Sequence, residues 1–300
     1  MSTVSIVSAS QLVTTFSCFF FSALFGSILW RSASLQLYYY CEKFWKTDHN
    51  YLKAYVLSIW ILDTVHQAIL MEVNYVYFVS GIVNPILLTY LPKEIGIIGF
   101  IIAVIDAMVQ LFFLRRVWCL SGRNRLLTGL LFVLVLSQLA LTMTYSGIIL
   151  NKALLRQAAT LSVFEMIMNT SAVFVDMPLA LSMIWFLWRN RSGVRRTDSI
   201  VNRIITLTIG SGLVTAFWAI IAAVSAAVVP RSLIYISSDL IFPKLYFNCM
   251  MTSLNARSSL REALNDEIVG MSFGTANISS SVTQSSNVIK DAPPRVQEAV

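Results

Sequence analysis

The chain has 300 residues, of which 57% are hydrophobic and only 12% charged, with a mean hydropathy of +0.71; so few charges cannot cover a soluble globule of this size. The net charge of +7 does not indicate nucleic acid, because Lys and Arg sit in short clusters between apolar runs and are not interleaved with aromatics on one soluble face. The composition is that of an integral membrane protein, and apolar runs of about 20 residues, the length that crosses a bilayer as a helix, recur along the chain.

In chain order, residues 1–10 read as an extracellular amino terminus without the basic region of a cleaved signal. The first span covers 11–37 and ends near Tyr38, Tyr39 and Tyr40, which suit an interfacial belt. The second, 51–71, carries Asp63 and His66, three positions apart and so on one helical face. The aromatic stretch that follows, with Gly81, Asn84-Pro85 and Pro92, reads as an extended outer loop. The third span, 95–114, places Asp106 and Gln110 one turn apart, and the fourth covers 126–149. The fifth, 163–188, holds Glu165, Asn169, Asp176 and Pro178. A connector with Arg189, Arg191, Arg195, Arg196 and Arg203 leads into the sixth span, 200–229, and the seventh, 232–254, carries Asp239, Pro243, Lys244, Tyr246 and Asn248. Leu260, Leu264 and Ile268 form one stripe of an amphipathic cytoplasmic helix over 255–271, and the Ser-rich tail 272–300 reads as disordered.

Seven spans divide the basic residues unevenly. Seventeen fall on the side shared by the first, third and fifth junctions and the tail, and four on the other. The positive-inside rule then puts the amino end outside and the tail in the cytoplasm. The expected architecture is an all-α seven-helix bundle, in the plasma membrane or another endomembrane. Its partners are the bilayer and, at the arginine connector, anionic headgroups.

The run from Asp176 through Arg196-Thr197-Asp198 and Gly212-x-x-Thr215, followed by Lys244-Leu-Tyr246-x-Asn248 and Leu254-Asn-Ala-Arg257, is a specific set of short motifs. It resembles a family of seven-helix membrane proteins greatly expanded in mushroom-forming basidiomycete fungi, whose carboxyl half, here 165–262, is catalogued as a domain of unknown function. The Tyr-rich end of the first span, Thr64 with His66, and Gln110, Phe112, Phe113 and Trp118 are similar too, so the likeness covers most of 10–262. Cys249, where a small polar residue is expected, and the long aromatic outer loop depart from the pattern. The resemblance implies an integral membrane fold and no particular activity.

Ionisable groups inside spans are expensive and point to function. Asp63, His66, Asp106, Asp176, Asp239, Lys244 and Asn248 form the expected intramembrane polar network. Lys244 is the one mid-span base and needs a carboxylate, which Asp63, Asp106 or Asp176 could supply. Asp239 lies five positions before Lys244 and does not share its face, which argues against a retinal Schiff base. The chain has no GxSxG, HExxH or P-loop, and its two histidines leave little general-base capacity, so no enzyme is expected. Cys18, Cys41, Cys119 and Cys249 form no CxxC pair, so no metal or cofactor site is expected. Two functions remain open: a receptor-like sensor, with a small-molecule ligand outside and a cytoplasmic partner at the connector, or a transporter or channel using the buried carboxylates and Lys244.

Overall fold

The computed structural model describes residues 9–84, 92–151, 158–189 and 234–256, together with 217, 218, 220–222, 224, 225, 227 and 228. The described residues are all-helical, with no strand among them. Five helices are long and apolar enough to cross a membrane. They are α1 (Ala9–Phe44), α2 (Asn50–Tyr75), α3 (Lys93–Leu120), α4 (Arg125–Asn151) and α5 (Ala158–Arg189). The described residues from 217 to 228 are helical, and the chain returns as α6 (Ile234–Asp239) and α7 (242–256). The sixth span up to 216, the arginines at 191, 195, 196 and 203, the amphipathic helix beyond Ala256 and the tail lie outside the described residues. By its contacts the chain divides into Met1–Asn255 and Ala256–Val300; the packing described below belongs to the first.

Each helix extends beyond its apolar core. The 36 residues of α1 span about 54 Å at the helical rise, well past a hydrocarbon layer of about 30 Å. Its last turns are held by their own packing: Tyr40 is buried and donates to Asp48 at 3.1 Å. The largest departure from the sequence expectation follows α2. Where an outer loop was expected, Val76–Ser80 form a π-helical turn and Gly81–Val83 a further helical turn. Nothing in that aromatic and β-branched stretch breaks a helix until Asn84, which is extended at φ −130° and ψ 90° because Pro85 disfavours the helical conformation in the residue before it. At the other end of α3, Asn124 caps α4, its Oδ1 accepting from the N–H groups of Leu126 and Leu127 at 3.1 and 3.3 Å.

Apolar side chains pack inside and also cover the outside. Phe21, Ile28, Phe174, Leu181, Trp185 and Trp188 are all more than half exposed, a surface that water would not tolerate but lipid does. Inside, one cluster joins Phe19 and Ala23 of α1 to Leu70 and Val73 of α2, Ile98 of α3 and Leu240. A second joins Ala33 and Leu37 to Val56 and Ile59, Ile105 and Val109, and Phe247 and Met250 of α7. A third ties α3, α4 and α5 through Val117, Leu131 and Met183. On α2, Asp63, His66 and Gln67 fall between the residues of the first two clusters, and on the last segment Lys244 falls among the residues of the second. Buried polar side chains therefore form a belt inside the bundle.

Close helix approach is visible at Gly99 of α3. A Cβ there would run into the Ser146 side chain of α4, with the Ser146 Cα at 3.7 Å, so α4 packs its serine into the space that a side chain at position 99 would fill.

Candidate functional site

The belt is organised around the last segment of the bundle. Between α6 and α7 the helix is interrupted at Leu240 and Ile241, just before Pro243, whose ring has no N–H to continue the hydrogen-bond ladder. The Ile241 N–H bonds back three residues to Ser238 O at 3.2 Å. Ser22 Oγ of α1 donates to Ser237 O at 2.7 Å, and Trp218 Nε1 donates to Ser238 O at 2.8 Å. Both carbonyls at the break thus receive a donor from outside the segment, as an interrupted helix in an apolar bundle requires.

One turn beyond the break, Lys244 Nζ lies 2.8 Å from Asp63 Oδ1, and both side chains are 0% exposed. Of the three carboxylates that could have paired with Lys244, α2 provides the one that does. The lysine stem runs against α1, where a Cβ at Gly26 would meet Lys244 Cε at 3.1 Å and Gln67 Oε1 at 3.0 Å. His66 is also 0% exposed, and neither ring nitrogen has a hydrogen-bond partner among the described residues; nor has Asp63 Oδ2. Gln67 Nε2 reaches Ser27 Oγ at 2.9 Å. Breaking a pair this deeply buried strands the surviving charge, which is costlier than never having had the pair.

Asp176 belongs to a different set. Its Oδ1 accepts from Gln110 Nε2 of α3 at 3.1 Å, and its Oδ2 accepts from the Tyr246 hydroxyl. The same Gln110 amide donates to Gln138 Oε1 of α4 at 2.8 Å. Three helices therefore meet at one carboxylate, and α4 joins them through Gln110. Asn248 stays apart from all the acids: its Nδ2 donates to Leu29 O at 3.0 Å and Lys244 O at 2.7 Å, and its Oδ1 accepts from Gln36 Nε2 at 3.1 Å.

Asp239 and Asp106 lie in a third set. Asn169 Nδ2 is 3.2 Å from Glu165 Oε1 and 3.4 Å from Asp239 Oδ1. Asp106, Gln138, Thr142, Asn169 and Asp239 line a cavity of about 30 Å³. No group of three or more His, Cys, Asp and Glu side chains among the described residues is arranged to hold a metal cluster.

The residues expected in the intramembrane network group as Lys244 with Asp63, Asp176 with Gln110 and Tyr246, and Asp239 with Asn169 and Glu165; Gln138, bonded to Gln110 and lining the cavity with Asp106 and Asp239, joins the last two groups. The sequence reading gave no role to Gln67, Gln138, Ser22 or Trp218. Gln67 follows His66 on α2, and Gln138 is the one amide in the apolar run 126–149; a polar side chain in such a run is the signal that could have marked both. Arg189 ends α5.

A helical bundle with five apolar spans and a buried polar belt defines a multi-pass membrane protein. A DUF6534 domain, described as a family of unknown function, is found over residues 172–259, a region that includes Asp176, the helix break and Lys244. No curated protein and no solved structure matches the chain.

Proposed function

We propose that this protein is a receptor-like sensor with no enzymatic activity, built on seven membrane spans with the amino end outside and the tail in the cytoplasm. The helical residues between 217 and 228 and those of α6 and α7 supply material for two spans beyond the five. The excess of basic residues at alternate junctions supports the orientation, and the plasma membrane is the membrane proposed. In this reading the chain is a member of the basidiomycete seven-helix family it resembles, and Arg189 with its neighbouring arginines contacts anionic headgroups or a cytoplasmic partner.

One observation carries the sensor reading: a single helix holds side-chain bonds to four others along its length. From α7, Lys244 reaches α2, Tyr246 reaches α5, and Asn248 and Asn255 reach α1 at Leu29 O and Gln36 O. At its cytoplasmic end the Ser253 hydroxyl accepts from Arg116 of α3. Small-molecule binding near the break would shift the register of α7, and the Arg116 and Asn255 contacts at the far end would report it. Differential binding to the two packings is the requirement for such a switch.

Cys119 is the exposed thiol among the four, the others being half-buried, so it takes an environment-sensitive fluorophore once Cys18, Cys41 and Cys249 are replaced by Ala. Membranes titrated with fractionated small-molecule extracts should give a saturable signal that Tyr246→Phe shifts in midpoint. Proton or cation flux in proteoliposomes that Asp63→Asn abolishes, with no fluorescence response to any fraction, would replace the sensor by the carrier.

A further inference from the structure

The cavity between α3, α4, α5 and α6 has a chemistry that the sensor reading does not use. Its volume of about 30 Å³ corresponds to room for one or two water-sized particles. Asp106, on its wall, is 8% exposed, and its Oδ1 has no hydrogen-bond partner. Asp239 lines the same cavity, and Glu165, 0% exposed, is linked to it through the Asn169 amide, with its own Oε2 unpartnered. Two carboxyl groups thus line one cavity, and a third is joined to it through Asn169. Lys244, the base nearest along the chain to Asp239, is committed to Asp63.

Such a cluster requires positive charge from elsewhere. A proton with a water, or a cation alone, each supplies charge and fills the adjoining space; the first makes the cluster respond to pH and the second to the cation. The donors available to it are all oxygens. Thr142 Oγ1 gives its hydrogen to Gln138 O at 3.0 Å and keeps its lone pairs, and the Asn169 nitrogen is the atom turned to the acids, leaving its carbonyl oxygen. Hard oxygen ligands of mixed charge select hard cations, and thiolate or imidazole metals are disfavoured. Three His, Cys, Asp or Glu groups do not converge on one point among the described residues, so the site lacks the dense charge that a divalent ion demands.

We propose that this cavity binds a dehydrated alkali cation, sodium, with Asp106 and Asp239 as charged ligands and Gln138, Thr142 and Asn169 completing the oxygen shell. The ion ties four helices together at the level of the helix break, and it does so whether the protein senses or transports. Binding to the folded state alone raises stability with ligand concentration.

The test uses the full-length protein in detergent, with sodium chloride exchanged for N-methyl-D-glucamine chloride at constant ionic strength and pH. The unfolding midpoint should rise with sodium, and radioactive sodium should bind saturably. Asp106→Asn, which keeps the shape and removes the charge, should abolish both, while Glu72→Gln on the exposed face of α2 should leave both intact. Should Asp106→Asn fail to fold, Thr142→Val removes one shell oxygen and should weaken sodium binding without abolishing folding. A midpoint that follows ionic strength whatever the cation, one that follows pH but not sodium, or sodium binding indifferent to Asp106→Asn and to Thr142→Val would each overturn the proposal.

Discussion

Replacing Lys244 by Met tests the buried pair most directly. The Nζ to Oδ1 distance is 2.8 Å with neither side chain exposed. At an effective dielectric of about 20 the attraction across that distance is about 6 kcal/mol. Withdrawing the two ions from water costs several kcal/mol each, so the pair as a whole contributes little net stability. The single substitution behaves differently, because Asp63 keeps its desolvation and loses its partner, and its Oδ2 has no other hydrogen bond to fall back on. The expected loss is about 3–5 kcal/mol for Lys244→Met. In Lys244→Met combined with Asp63→Leu most of that loss should return, giving a coupling of at least about 2 kcal/mol in a double-mutant cycle. Reversible unfolding of the purified protein in mixed micelles measures all four corners. A single variant within about 1 kcal/mol of wild type, or a double variant that merely adds the two single losses, would refute the reasoning.

Other outcomes follow from the same contacts. Tyr246→Phe removes the donor to Asp176 Oδ2 while Gln110 still serves Oδ1, so a loss of about 1–3 kcal/mol is expected in the same unfolding assay. Gly99→Ala forces a Cβ against Ser146 Oγ and should cost about 1–3 kcal/mol; Ser146→Gly in the same chain should restore most of it. Asn124→Ala removes the cap of α4 and should cost about 1 kcal/mol, read as a small fall in the unfolding midpoint. For orientation, a membrane-impermeant maleimide should label Cys119 only after cells are permeabilised, and labelling of intact cells would reverse the assigned topology.

The sequence carried the membrane class openly, because a run of 20 apolar residues has one stable form in lipid. It also showed that Lys244 needed a carboxylate. It could not say which, since Asp63, Asp106 and Asp176 are all buried acids on different spans, and the choice depends on which helix packs beside α7. In the structure α2 takes that place and α5 offers Asp176 to the hydroxyl two residues further on. His66 shares a face with Asp63 as its spacing implied, but only Asp63 bonds Lys244. The stretch after Tyr75 reads as a loop from Gly81 and two prolines, whereas the run before Asn84 is compatible with a helix throughout and forms one. Where the chain bends at Leu240 and Ile241, Pro243 gave the hint, but the donors that complete the bend, Ser22 and Trp218, lie far away in sequence.

That bend also bears on what the matched region can be. Residues 172–259 share a family description, but two of their polar obligations are met from upstream: the Ser237 carbonyl by Ser22, and the Lys244 ammonium by Asp63. Expressed alone, the segment would lose the Ser22 donor and leave the Lys244 ammonium without its carboxylate. The recognisable stretch is therefore one half of a two-part fold, and its amino-terminal half must accompany it during insertion for the last helix to settle.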